Sequence, residues 1–158
     1  MRKNLFRISL AVCSALVLSS SVILAADAWI GSWKMDAAKS KASPGPAPKS
    51  LDVKWEATPA GTKFTSDGVG ADGKPTHSAY VSKFDGKEVP YEGNPEADMC
   101  APMKVDDHTY TNTWKKAGKP TITAKVVVAA DGKTMMITQT GTNSKGETVN
   151  NSFAYTRQ

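Results

Sequence analysis

Cysteine is scarce in this 158-residue chain: there are two, and one of them, Cys13, lies in an apolar stretch near the N-terminus. Beyond that stretch only Cys100 remains, so no intramolecular disulfide can staple the domain. A lone cysteine is most often a buried small hydrophobe. Histidine is as rare, with only His77 and His108. No H-x-x-x-H or paired-cysteine spacing offers zinc a site, and neither a G-x-S-x-G elbow nor a phosphate-cradling glycine loop occurs. No metal, cofactor or catalytic residue is therefore expected, and the chain reads as a non-enzyme. An excess of one charge is also missing. The formal net charge of +5 falls once Arg2, Lys3 and Arg7 are set aside, leaving seventeen bases against fifteen acids. The lysines sit at turns and on wet strand faces instead of tracking a groove, which argues against nucleic acid. With 12 Gly, 9 Pro and 40% hydrophobic residues, the composition excludes collagen, coiled coil and disordered tail, and the length fits one domain.

Arg2, Lys3 and Arg7 precede an apolar run from Ile8 to Leu24, and small residues follow at Ala25, Ala26 and Ala28. This is the three-part layout of a secretory signal peptide over 1–26, with 27–158 as a single exported domain, periplasmic or extracellular. Cleavage two residues later, after Ala28, is a close alternative. A spanning helix needs about 20 apolar residues, and the run is shorter and broken by serines, so no stable membrane span is expected after cleavage. Lipidation at Cys13 is disfavoured by Val12 in front of it.

Downstream, 37–49 carries Pro44, Pro46 and Pro48 without apolar periodicity and reads as an extended surface loop. Turn signals then recur about every ten residues. They are Asp72-Gly73-Lys74, Asp85-Gly86-Lys87, Ala117-Gly118-Lys119, Asp131-Gly132-Lys133 and Ser144-Lys145-Gly146. Such turns suit hairpins, so consecutive strands are expected to be antiparallel neighbours. Period-2 alternation supports strands in between. Leu51, Val53, Trp55 and Ala57 share one phase, as do Ile122, Ala124, Val126 and Val128, and Val149, Asn151, Phe153 and Tyr155. The same reading turns inward Met99, Ala101, Met103 and Val105, and likewise His108, Tyr110, Asn112 and Trp114. Over 76–84 the two phases compete. Ten strands are expected, near 29–36, 50–57, 62–68, 76–84, 87–91, 98–105, 108–116, 120–129, 134–141 and 148–157. A meander leaves two raw edges unless its last strand returns to its first, so the expected fold is all-β, an antiparallel up-and-down meander closed into a barrel of about 8–10 strands.

The domain opens with Trp29-Ile30-Gly31-Ser32-Trp33-Lys34, whose G-x-W resembles the first-strand signature of the calycin-type barrels, the lipocalins and fatty-acid-binding proteins. Together with the SPGPAPKS loop, the DGK turns and the GTNSKGETVNN ending, the pattern resembles small exported bacterial lipocalin-like proteins of unassigned function. The resemblance implies that Trp33 plugs the closed end of the barrel and that a basic side chain near the last strand covers it. Arg157 is the one arginine beyond the signal segment. Gly31, Trp33 and Arg157 are thus the structural signature, and no helical lid is expected.

Inward aromatics either fill a barrel or line a cavity. Trp55, Tyr80, Tyr110, Trp114, Phe153 and Tyr155 are the candidates, and His108 and Asn112 in the same phase would be odd in a dry core. These eight are the candidate binding residues for a small apolar or amphipathic ligand. The alternative is a packed interior with protein partners engaged through loops 37–49 and 92–98. Asp106-Asp107-His108 reads as a polar turn. The oxygen-bearing loop 92–98 lacks EF-hand spacing and reads as a rigid turn around Pro95.

Overall fold

The computed structural model describes residues 27–158; the expected signal segment lies outside the described residues. Ten strands follow in order: β1 (Gly31–Lys41), β2 (Ser50–Thr58), β3 (Gly61–Val69), β4 (Pro75–Ser82), β5 (Val89–Pro90), β6 (Met99–Lys104), β7 (Thr109–Lys116), β8 (Lys119–Val128), β9 (Thr134–Thr142) and β10 (Thr148–Arg157). They form one antiparallel sheet in the order β4-β3-β2-β1-β10-β9-β8-β7-β6-β5. The last strand pairs with the first, from Trp33 opposite Arg157 to Lys41 opposite Ser152. This return makes the meander a nearly closed up-and-down barrel.

The seam lies elsewhere, between β4 and the segment after β5. It is joined by one reciprocal pair: Ala79 N–H donates to Glu92 O at 3.0 Å, and Glu92 N–H to Ala79 O at 2.9 Å. The reason is local. Asp85-Gly86, Pro90 and Glu92-Gly93-Asn94-Pro95 interrupt this stretch too often for a long strand. Gly93, at φ +71°, crosses so close to β4 that a Cβ there would lie 2.2 Å from His77 O, which explains the glycine. The Asp85-Gly86-Lys87 turn consequently joins strands at opposite sheet edges and makes no hairpin. By contrast, Ala117 (φ 49°) and Gly118 (φ 77°) form the two-residue turn of the β7–β8 hairpin.

Two further expectations are corrected. Strand β1 runs on to Lys41, so the proline loop begins at Ala42 instead of at residue 37; a register shift between Asp36 and Lys41 absorbs the extra residues. On β6 the inward residues are Cys100 and Pro102, while Met103 is 51% and Val105 58% exposed. The register decides this, because directly opposed residues share a face: Cys100 faces Trp114 and Pro102 faces Asn112, and β7 already turns those two inward. On β4 the competition resolves in favour of Tyr80 and Ser82, with Val81 outside.

One end of the barrel is plugged. Trp29 and Trp33 are fully buried, and Trp33 Nε1 donates to Trp29 O at 2.9 Å. Trp29 packs on Phe84 and Tyr110, with ring centroids 5.4 and 5.1 Å away. The Arg157 guanidinium lies 4.2 Å from the Trp33 ring centroid. It also donates to Ile30 O at 2.8 Å, Gly132 O at 2.7 Å and Ala28 O. Gly31, at φ +131°, passes beneath, where a Cβ would sit 2.6 Å from Arg157 Nη1. The signature residues therefore occupy one place, and an arginine near the chain end ties the barrel's first and last strands.

Candidate functional site

Above the plug, the interior holds a cavity of about 380 Å³ that opens at the end opposite Arg157. The inward faces of the strands stack in rows, because antiparallel partners point to the same side. The lowest row on the β7–β10 wall is Tyr110, Val126, Ile137 and Phe153, each opposite the next. The next row, two residues or about 7 Å toward the mouth, is Asn112, Ala124, Gln139 and Asn151. Above that, Ile122, Gly141 and Val149 stand in register, with Trp114 on β7 at a register shift beside them. Three amide side chains and one methyl thus form a polar girdle between two apolar rows.

The facing wall is aromatic. Phe64 and Tyr80 stack at 4.7 Å, Tyr80 meets Tyr91 edge-on at 5.2 Å, and Tyr91 meets Trp114 at 5.6 Å. Trp55 joins this set through Phe64 at 5.0 Å and reaches Tyr110 at 6.1 Å. The Tyr80 and Tyr110 hydroxyls lie 3.3 Å apart. Burial pushes both phenols well above their ordinary value and the Tyr91 phenol up to about 12, so all three are neutral at physiological pH.

Several polar atoms in this wall lack partners. Trp55 Nε1, Trp114 Nε1 and Asn112 Oδ1 are buried without a hydrogen bond, and an unmade buried bond costs about 1–3 kcal/mol. In the girdle, Asn151 Nδ2 donates to Gln139 Oε1 at 2.9 Å, while Asn151 Oδ1 accepts from Ser43 N–H at 3.0 Å. The rim is built from the proline loop and 92–98. Glu96 accepts from Ser144 N–H at 2.7 Å and from Ser144 Oγ at 3.1 Å, strapping 92–98 to the β9–β10 turn. Asn94 accepts from Glu96 N–H and Asp98 from Ala117 N–H, so the side-chain oxygens of Asn94, Glu96 and Asp98 each accept from a backbone N–H. Among the described residues, no three His, Cys, Asp or Glu side chains cluster to hold a metal ion.

Of the eight residues expected inside, Trp55, Tyr80, Tyr110, Trp114, Phe153, Tyr155 and Asn112 line the cavity. His108 does not. It is exposed in the turn before β7, where its N–H donates to Asp106 Oδ1 at 2.8 Å; the strand's alternation begins only at Thr109, so His108 cannot share the phase of Tyr110. The sequence reading missed Tyr91, Phe64 and Gln139. Gln139 was detectable, since it follows Met135 and Ile137 at period 2. Tyr91 ends the strand expected near 87–91, but β5 stops at Pro90 and the neighbouring seam places its ring. Cys100 is fully buried, and burial pushes its thiol up to about 12, with the Asn112 side chain acting weakly in the other direction.

No family model and no curated protein matches the chain. Among solved structures, it is similar to a protein of unknown function from the DUF3598 family of Nostoc punctiforme, with TM-score 0.52 and 14% identity over 83% of this chain and 48% of that one. The chain thus spans about half the length of that protein. A likeness at TM-score 0.42 and 12% identity, over 83% of this chain and 61% of the other, is to lobster apocrustacyanin A1. What the first of these likenesses shows is the fold alone: the described domain is an all-β, antiparallel up-and-down meander in a nearly closed ten-stranded barrel. Among the described residues no helix is long and apolar enough to cross a membrane, which says nothing about strands.

Proposed function

We propose that the protein is an exported, non-enzymatic barrel that holds a small apolar or amphipathic molecule in its interior. The observation that carries this reading is the cavity of about 380 Å³ walled by aromatic and aliphatic side chains, with buried polar atoms left unpartnered beside it. Its size falls in the range of about 300–1,000 Å³ expected of small-molecule sites, and its lining is mainly apolar, with polar side chains gathered in the girdle and at the rim. The N-terminal charge, apolar run and small residues support export.

The placement of Cys100 and His108, the two side chains weighed for catalysis, supports the non-enzymatic part. A thiol held near 12 is not a nucleophile at neutral pH. His108 is an exposed turn residue and does not line the cavity. The rival reading, a packed interior with docking loops, suits the loops poorly. Ser43 is bonded to Asn150 and Asn151, and Glu96 to Ser144, so both segments are tied down as a rim.

Native mass spectrometry of gently purified protein, followed by titration with the neutral fluorophore N-phenyl-1-naphthylamine, tests the reading. The expected result is a retained ligand or saturable fluorescence enhancement at one site per chain. A protein that carries no ligand and leaves the fluorophore dark would overturn it.

A further inference from the structure

The cavity wall has an internal grammar that points beyond general apolar binding. Asn112, Gln139 and Asn151 stand on β7, β9 and β10 in one inter-strand row, with Ala124 of β8 between the first two. The rows on either side are apolar, so the polar band lies partway up the cavity, about 7 Å above Tyr110 and Phe153 along the strands. Ala124 is the smallest side chain in the row and leaves room for a ligand group between Asn112 and Gln139.

The hydrogen-bond inventory of the row is incomplete in a specific way. Asn151 is occupied on both amide atoms, by Ser43 and Gln139. Gln139 accepts through Oε1 and keeps its NH₂ donors. Asn112, 3% exposed, has an oxygen with no partner. One neighbour therefore offers donors while the other lacks one. A hydroxyl both donates and accepts, so it satisfies the pair in either orientation of the Asn112 amide.

Charge narrows the class further. No lysine or arginine is among the described residues that line the cavity, and its two titratable side chains outside the tyrosines, Glu96 and His77, are at the rim, where the exposed His77 faces Asp67 at 2.6 Å instead of the girdle. A carboxylate drawn inside would be buried without a counter-charge, which is strongly unfavourable. From these observations, which rest on the binding reading above, we infer that the girdle of Asn112 and Gln139 selects an uncharged apolar molecule bearing a hydroxyl partway along its length, and discriminates against both the bare hydrocarbon and the carboxylate.

Three probes on one ring system test this: 2-naphthol, naphthalene and 2-naphthoate, titrated against the intrinsic fluorescence of Trp55 and Trp114 or by calorimetry. One satisfied hydrogen bond at a buried site corresponds to about tenfold in affinity. The expected order is naphthol about tenfold tighter than naphthalene, with naphthoate weakest. In Asn112→Leu and Gln139→Leu the ratio of naphthol to naphthalene affinity should collapse to within about twofold. Because Asn112 is buried, Gln139→Leu serves if the other variant fails to fold. Equal or tighter binding of naphthalene in the wild-type protein overturns the girdle inference and leaves the cavity reading standing. Tightest binding of naphthoate overturns the charge argument. Binding of none of the three overturns both.

Discussion

Replacing Arg157 by alanine should loosen the end of the barrel where the first and last strands meet. The guanidinium stacks on Trp33 at 4.2 Å and donates to three carbonyls, those of Ala28, Ile30 and Gly132. Arg157 itself is exposed, so water competes for these donors. Stacking at an exposed site contributes about 0.5–1 kcal/mol. The three hydrogen bonds, taken at the neutral net value of about 0.5–1 kcal/mol each because of that competition, add about 2 kcal/mol. The total of roughly 2–3 kcal/mol corresponds to a fall in Tm of about 8–12 °C at about 4 °C per kcal/mol for a domain of this size. Arg157→Lys keeps the charge but loses the planar fork and should fall between the two. Thermal melts followed by near-UV circular dichroism, which reports Trp33, would measure both. A shift under about 2 °C for Arg157→Ala would refute the claim that this side chain ties the strands together.

Ala124→Phe should fill the girdle gap, removing fluorophore binding while changing Tm by only a few degrees; binding at wild-type strength would place the ligand elsewhere. A chain beginning at Trp29 should melt several degrees below one beginning at Asp27, because it lacks the Asp27–Lys104 ion pair at 2.6 Å, the Ala28 N–H bond to Asp107 O and one carbonyl acceptor of Arg157. For the export proposed above, N-terminal sequencing of the mature protein should correspondingly show cleavage before Asp27 rather than after Ala28. Stability should decline in alkali. The Cys100 thiol rises from 9.0 to about 12 and the Tyr91 phenol from 10.0 to about 12 on folding, so above pH 9 the unfolded chain binds fewer protons than the folded one. The stability they contribute is complete below pH 9 and is lost progressively toward pH 12. Urea midpoints from pH 8 to 11 check the sign, and Cys100→Ala should flatten the first part of the decline.

The strands were legible because alternation and turn chemistry agreed over most of the chain: Ile122 to Val128 can face only one way. Where both phases offered apolar residues, as at Met99 to Val105, local pattern could not choose, and the pairing of Cys100 with Trp114 made the choice. His108 was misplaced because the strand was started one residue too early: it lies in the turn closed by Asp106 and Thr109, where the backbone is not extended and period-2 alternation does not apply. The Trp33–Arg157 tie was readable from a signature and a solitary arginine. The girdle was not, since Asn112 and Gln139 meet only through the register of β8 with its two neighbours. The position of the seam was equally hidden, because it depends on which junction pairs least.

The most direct test of the central claim is the interior itself. Crystals pressurised with xenon, which enters dry apolar cavities, should show a bound atom, or density for a retained ligand, bounded by Val126, Ile137 and Phe153. Side chains packed into that volume with no xenon and no ligand between them would contradict the account.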